Sequence, residues 1–405
     1  MKIAVIGAGA SGVIAALQAA WQGASVTLFE RNNTIGRKLL VTGSGRCNIT
    51  NDQVSPQKYT CADSQWMAIL LSHFGVDDLL KMLQQIGIPV YKTSDGWYYP
   101  LSNSARSVVD AMESALRLSD VSLQTASQVI DFHGSEHGFS VRYIHTANHI
   151  EDTFDKLILS AGGKAYPTLG SKGELFPSIG KSGHTILPIR PALAPVLAEL
   201  GTFKSLKGIR LDVGVTLWHQ DRKLAETSGN LIFTEWGLNG PAVMDISHHI
   251  SANPELTLTL SLDLLKYFEP EFNALLTQKR HTEMPTHVFL EAFFPSKVAV
   301  IYTKMAGMAE NTALNQIPAH RLTQLINILR DTCLAVRGVR SFNYCQVSIG
   351  GVPVTEVSPE TMQSSIIEGL YLTGETLDVV GPCGGYNLHY AFASGALAGI
   401  AAAQV

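Results

Sequence analysis

Residues 2 to 30 read "KIAVIGAGASGVIAALQAAWQGASVTLFE", and from Ile3 to Phe29 they carry no charged side chain. Hydropathy alone would allow a signal peptide or a membrane span here. The internal order decides otherwise. Lys2 to Ile6 is a compact apolar strand, Gly7 to Gly12 a glycine turn, Val13 to Trp21 a buried helix, and Ala24 to Phe29 a second strand. Strand, turn, helix and strand form a βαβ unit, and the missing charge then reflects burial between sheet and helices.

Gly7, Gly9 and Gly12 satisfy G-x-G-x-x-G directly after a strand. The three glycines serve different ends, namely a tight turn, close approach of a pyrophosphate to the backbone, and close packing of helix on strand. The helix that starts here aims its free amides and positive dipole end at the anion. Glu30, at the end of the second strand, is placed to accept both hydroxyls of an adenosine ribose. A second strand-linked fingerprint for a separate nicotinamide domain is absent. Far down the chain, Gly369 to Asp378 (GLYLTGETLD) and Gly381 to Gly395 (GPCGGYNLHYAFASG) form a strand end and a glycine-rich helix entry. A large flavin dinucleotide would use both ends of the chain.

The segment "TGSGRCNITN", 42 to 51, allows three readings: a cofactor cradle, a redox cysteine at Cys47, or a glycosylation acceptor at Asn48. The buried βαβ unit before it argues against secretion, and a disulfide reductase needs a paired cysteine close by, whereas the next is Cys61. A cofactor-lining loop remains, in which Gly43 and Gly45 admit backbone approach, Arg46 supplies charge-assisted hydrogen bonds and Asn48 a polar contact.

Together with "LILSAGG" (157–163), "FTEWGLNGPAVMDIS" (233–247) and the segment from Gly350 to Gly395, these motifs resemble the YhiN/BaiN-type family of bacterial FAD-dependent oxidoreductases, essentially end to end. The resemblance implies an α/β fold: a Rossmann-like FAD-binding domain with an inserted β-barrel-like domain and a small helical domain. It implies noncovalent FAD, with Gly7, Gly9, Ala10, Ser11 and Gly12 at the pyrophosphate, Glu30 and Arg31 at the adenosine ribose end, and Lys38, Gly45, Arg46 and Asn48 lining the cofactor. Ala161 and Gly162 would lie close to it, Gly374 and Glu375 at the ribityl chain, and Gly385, Tyr386 and Asn387 at the flavin's pyrimidine end. Residues 170 to 184 depart from the family, with Glu174 and Leu175 where Asp-Gly is expected.

At 405 residues with 46% hydrophobic content, the chain is too long for one ordinary domain. The expected boundaries are 1–190 with 346–405 for the FAD domain, 191–263 with 331–345 for the barrel, and 264–330 for the helical domain. The barrel rests on alternating runs at Gly208 to His219, Gly229 to Thr234 and Leu256 to Leu262. The helical part rests on His320 to Leu334, where Leu322, Leu325, Ile326 and Leu329 mark one face.

A net charge of −4 without long runs of one sign argues against a nucleic-acid partner, and five cysteines without metal or disulfide spacing suit a reducing cytoplasm. His133, His137, His145 and His149 lie in hairpin-like sequence, where spacing of four does not bring side chains together, so no metal is expected. Among Trp97, Tyr98 and Tyr99, core packing and a stacking role are both open. His389, one turn from Gly385, and Tyr386 are the candidates for proton donation. The expected activity is oxidoreduction of a small organic molecule, either NAD(P)H-linked reduction of an activated C=C bond or oxidation of an amine. The alternative is a flavin-binding protein with a regulatory, assembly or RNA-modifying role.

Overall fold

A computed structural model describes residues 1–404. The chain divides into two compact units, Met1–Pro191 together with the chain from Cys345 onward, and Ala192–Tyr344.

The first unit is built on a five-stranded parallel sheet in the order Leu370–Leu372, Lys156–Leu159, Lys2–Ile6, Ser25–Phe29, Ser122–Gln124. Lys2–Ile6 is central, pairing Ile3 with Lys156 on one side and with Val26 on the other. Ile3, Ala4 and Val5 are fully buried, as a strand covered on both faces requires. Burying each such isoleucine or valine contributes about 1.5–3 kcal/mol. The helix Ala10–Trp21 follows, and Gly23, at φ +89°, turns the chain into the second strand. The C-terminal helix Tyr386–Ala403 lies against it at backbone contact: a Cβ on Gly395 would sit 2.2 Å from the Ser11 carbonyl oxygen.

Two antiparallel sheets flank this core. Thr50–Asn51, Trp97–Pro100 and Val90–Lys92 form one, with Tyr99 buried and Trp97 half-buried. Ser127–Ser135, Gly138–His145 and Asn148–Phe154 form the other, which extends the expected hairpin by a third strand. Its histidines go separate ways: His133 pairs with Asp131, while His145 Nδ1 meets Ser127 Oγ at 2.9 Å. Among the described residues no group of His, Cys, Asp and Glu could hold a metal.

The second unit is a closed six-stranded barrel in the order Val196–Ala198, Gly237–Asn239, Arg222–Phe233, Arg210–His219, Leu258–Asp263, Thr332–Val339. The helices Glu269–Lys279, Thr286–Glu291, Ser296–Met305 and Ala319–Arg330 share its core, where Phe272, Phe289, Tyr302, Leu325 and Leu329 join Leu217, Leu260 and Leu262. One expectation needs correction, because the last helix stops at Arg330 rather than running to Leu334. The Thr332 hydroxyl donates to Ile328 O and meets Tyr302 Oη at 2.7 Å, and from there the chain runs as a barrel strand.

Candidate functional site

The carboxyl ends of the parallel strands are where an open α/β sheet binds ligands, and four chain segments converge there. Gly7, at φ +100°, presses on the next strand: a Cβ would lie 2.4 Å from Ser160 O. Gly12 brings the helix onto the turn, where a Cβ would fall 1.8 Å from Gly7 O. Gly9 differs, with φ −80° and nothing within 4 Å of a Cβ, so its backbone faces open space. As N-cap it offers no side-chain partner to the amides of Ala10 and Ser11. The fingerprint is therefore closed on the protein side and open on the ligand side.

Glu30 is buried beside this turn. Its carboxylate accepts from Ala8 N at 3.0 Å, from Asn32 N at 2.8 Å and from Asn32 Nδ2 at 2.6 Å. Arg31 does not line the opening as expected. Its guanidinium is tied to Glu174 in a two-nitrogen ion pair and approaches Gly170 O at 3.4 Å, so the divergent loop 170–184 is anchored to it.

Glu375, like Glu30, already accepts protein donors on both carboxylate oxygens. One pairs with Lys38 across 337 residues of sequence, and the other takes Ser348 N at 2.8 Å and Ser348 Oγ at 3.0 Å. Ser348 Oγ also accepts from Lys164 N, which fixes the loop after Ala161 and Gly162, the latter at φ +74°. Gly374, at φ +59°, leaves just enough room for Ser11 Oγ, 2.7 Å from where a Cβ would be.

The segment 42–51 forms the opposite wall. Gly43, Ser44, Gly45 and Cys47 all adopt positive φ, so the loop folds back sharply and holds the Arg46 guanidinium outside, 4.6 Å from the Tyr99 ring centroid. Asn48 points inward: it is buried, and its Oδ1 has no hydrogen-bond partner. Thr376 Oγ1 is a second buried oxygen without one. Such atoms are costly unless something satisfies them, about 1–3 kcal/mol each; His389 Nε2 and Tyr390 Oη are buried without a partner in the same way.

Cys47 is fully buried, and burial pushes its thiol up to about 11. A protonated, enclosed thiol is inert. Iodoacetamide at pH 8 should therefore leave Cys47 unmodified in the native protein and label it only after unfolding, as peptide mass mapping would show. Labelling of the folded protein would revive the redox reading.

The C-terminal glycine loop packs on this wall, with Gly385 seated against Thr50 and Asn51 Nδ2 donating to Gly384 O at 3.2 Å. Asn387 clamps the loop from inside, accepting from Gly381 N at 2.9 Å and donating to Gly381 O at 2.8 Å. The Tyr386 ring is buried against Tyr59. His389 corrects a further expectation. It is fully buried, its Nδ1 lies 2.8 Å from Thr50 Oγ1, and burial pushes its pKa down to about 4, so it is a neutral packing group rather than a proton donor.

Sequence reading missed a chain of three side chains elsewhere in the unit. Ser364 Oγ meets His184 Nε2 at 2.9 Å, and His184 Nδ1 meets Glu356 at 2.8 Å. Hydrolases use the same types, but here the hydroxyl oxygen also accepts from Ile366 N and Ile367 N and is buried, which makes it a clamp.

A parallel sheet ending in this glycine turn, an acidic rim, and a second glycine loop from the far end of the chain define a dinucleotide-binding oxidoreductase. The sequence profile described as the HI0933-like protein Rossmann domain matches residues 1–401, and the chain belongs to that family of FAD-dependent oxidoreductases. It is 34% identical to a 3-dehydro-bile acid delta(4,6)-reductase of Clostridium scindens, covering 100% of this chain and 99% of that protein. It is 28% identical to a ribosomal RNA dihydrouridine synthase of Haemophilus influenzae, covering 96% and 95%. In fold it is similar to a 3-ketosteroid-delta4-(5alpha)-dehydrogenase from Rhodococcus jostii, at 14% identity, with a TM-score of 0.52 over 100% of this chain and 97% of that one. Among the described residues no helix is long and apolar enough to cross a membrane.

Proposed function

We propose that the protein reduces a C=C bond conjugated to a carbonyl in a small organic substrate, with noncovalent FAD and NAD(P)H as electron source. The observation that carries this reading is the pair of full-length relatives. Their names share one reaction type: a delta(4,6)-reductase of a 3-dehydro-bile acid saturates double bonds conjugated to a ketone, and dihydrouridine is uridine saturated beside a ring carbonyl.

The residues fit the cofactor. Gly7, Gly9, Ala10, Ser11 and Gly12 would hold the pyrophosphate at the open helix start, where free amides and the helix dipole favour an anion. Glu30 would meet the adenosine ribose, and the unpartnered Asn48 Oδ1 would take a donor from the ring system. Gly45, Ala161, Gly162, Gly374 and Gly385 would give the backbone close approach, with Tyr386 and Asn387 shaping the loop. Lys38 and Glu375 act as a pair that fixes the loops around the cofactor. When bound, the flavin supplies the hydride chemistry, carrying it from a nicotinamide to carbon. The chain's own part is to orient the two reactants and keep water out.

A second reading takes a uracil of RNA as the substrate, and the dihydrouridine synthase relative favours it. The net charge of −4 favours the small molecule.

Anaerobic titration separates the outcomes. NADH or NADPH should bleach the visible flavin band, and a steroidal 4-en-3-one should restore it stoichiometrically and emerge saturated by mass. Recovery with a uridine-containing ribosomal RNA fragment, and with no enone, would move the assignment to RNA. If neither restores the band, the reductase reading is wrong.

A further inference from the structure

The chain between Ser160 and Glu174 crosses the end of the parallel sheet. There Lys2–Ile6 lies between Lys156–Leu159 and Ser25–Phe29, with all three strands parallel. The chain leaves Lys156–Leu159 at Ser160, in contact with Gly7, and by Gly170 it rests on Arg31 and Asn32, just past the end of Ser25–Phe29. It therefore passes the carboxyl end of the central strand, where the open glycine turn and the buried Glu30 lie. Two strand intervals measure only about 10 Å, and the chain from Ala161 to Gly170 can reach about 30 Å, so the crossing has slack.

The two ends of this strap are fixed and its middle is not. At the root Lys164 N donates to Ser348 Oγ at 2.9 Å and Ser171 Oγ to Gly163 O at 3.0 Å, while beyond Glu174 the side chains of Leu175, Phe176 and Ile179 are buried in the core. None of residues 166–174 is buried. Their one regular piece is the turn Pro167–Leu169, and Tyr166, Gly170 and Gly173 interrupt the backbone with positive φ. What ties the middle down is a latch on the far side. Arg31 forms the two-nitrogen ion pair with Glu174 and approaches Gly170 O, Asn32 Nδ2 donates to Leu169 O at 3.3 Å, and Gln128 Nε2 donates to Glu174 Oε2 at 3.3 Å. A segment without buried side chains, held by solvent-facing bonds, is one that opens locally at low cost. Every bond of the latch runs from protein to protein, so it closes with or without a ligand in the cleft.

We infer that residues 166–174 are a gate for FAD, latched by Arg31 and Glu174, which must lift before the adenosine half of the cofactor can enter or leave. This rests on the FAD assignment and not on the reductase reading. A wall that touches the cofactor would raise affinity by slowing release alone. A latch made only of protein stabilises the empty and the loaded closed states equally, and so slows entry and release together. The effect is modest, because an exposed ion pair contributes little by itself; this one is two-pronged, and Gly170 O and Gln128 share its members.

The test is stopped-flow binding of FAD to the full-length apoprotein and its release on dilution, both read by flavin fluorescence with no nicotinamide or substrate present. In Glu174→Gln the association and release rate constants should both rise about three- to tenfold, while Kd changes less than about twofold. Arg31→Met, which keeps the length of the side chain, should do the same. The reversed pair, Arg31→Glu with Glu174→Arg, should bring both rates back toward wild type, and apoprotein Tm checks the fold of each variant. Wild-type rates in both single variants overturn the gate. A rise in release alone, with Kd weakened by the same factor, overturns it too and makes the pair a plain contact. A reversed pair as fast as the single variants removes the latch, and a wild type that takes up no FAD removes the gate altogether. Reduction of an enone enters neither rate, so the gate and the reductase reading fail separately.

Discussion

Gly9→Ala should cost the apoprotein about 1 kcal/mol at most and yet deprive it of flavin. Gly9 has φ −80°, which alanine adopts freely, and nothing of the protein lies within 4 Å of the added Cβ. A substitution that meets no protein atom usually changes stability by about 0.5 kcal/mol, and because Gly9 is the helix N-cap, where alanine is the poorer residue, a loss of up to about 1 kcal/mol is expected. The space the methyl enters is where the pyrophosphate would approach the backbone, so its cost falls on the ligand, with FAD affinity expected to drop at least about tenfold, or about 1.4 kcal/mol. Gly12→Ala provides the contrast. Its Cβ would lie 1.8 Å from Gly7 O, a backbone atom that cannot rotate away, so helix and strand must separate. Overpacking typically costs about 1–3 kcal/mol and occasionally more, and this contact belongs at the upper end, with a lowered apoprotein Tm as well as lost flavin. Tm without FAD and fluorescence titration with FAD check both. A Gly9→Ala protein that keeps wild-type affinity would place the pyrophosphate elsewhere.

Those two glycines look alike in the sequence, and the difference between them measures what sequence could tell. Local signals carried the first βαβ unit, the alternating barrel strands and the helical face of Leu325 and Leu329, because each depends on neighbours within a few turns of chain. Barrel closure was expected only through the family resemblance and not from local pattern, since it pairs Val196 with Val339 across the whole second unit. The site shows the same division. Positions that must be glycine or carry the strand-end acid announced themselves, whereas partnerships across the fold did not. Arg31 and Glu375 looked free for a cofactor only because Glu174 and Lys38 are remote in sequence. The unpartnered Asn48 oxygen likewise exists only once distant segments meet.

His389 shows how such a partnership turns into a pH dependence. Burial lowers its pKa from 6.5 to about 4, so the folded protein resists a proton that the unfolded chain accepts. The sign follows: its contribution is fully present above pH 6.5, declines as pH falls, and is exhausted once pH passes the folded value near 4. At pH 5 the unfolded chain is almost wholly protonated at this site and the folded one barely, a loss of about 2 kcal/mol relative to pH 7.5. His248 in the second unit is also lowered to about 4, by burial first and by His249 second, and adds a similar slope to that unit. Denaturant unfolding of the flavin-loaded protein, followed by release of flavin fluorescence, reports on the unit that holds His389. His389→Gln should be less stable at pH 7.5, because the contact with Thr50 Oγ1 at 2.8 Å and the packing are disturbed. Between pH 7.5 and 5, however, it should lose about 2 kcal/mol less than wild type does. An identical loss in both proteins would mean that His389 takes up its proton in the folded protein as readily as in the unfolded chain, so that its burial is not what the acid sensitivity reports.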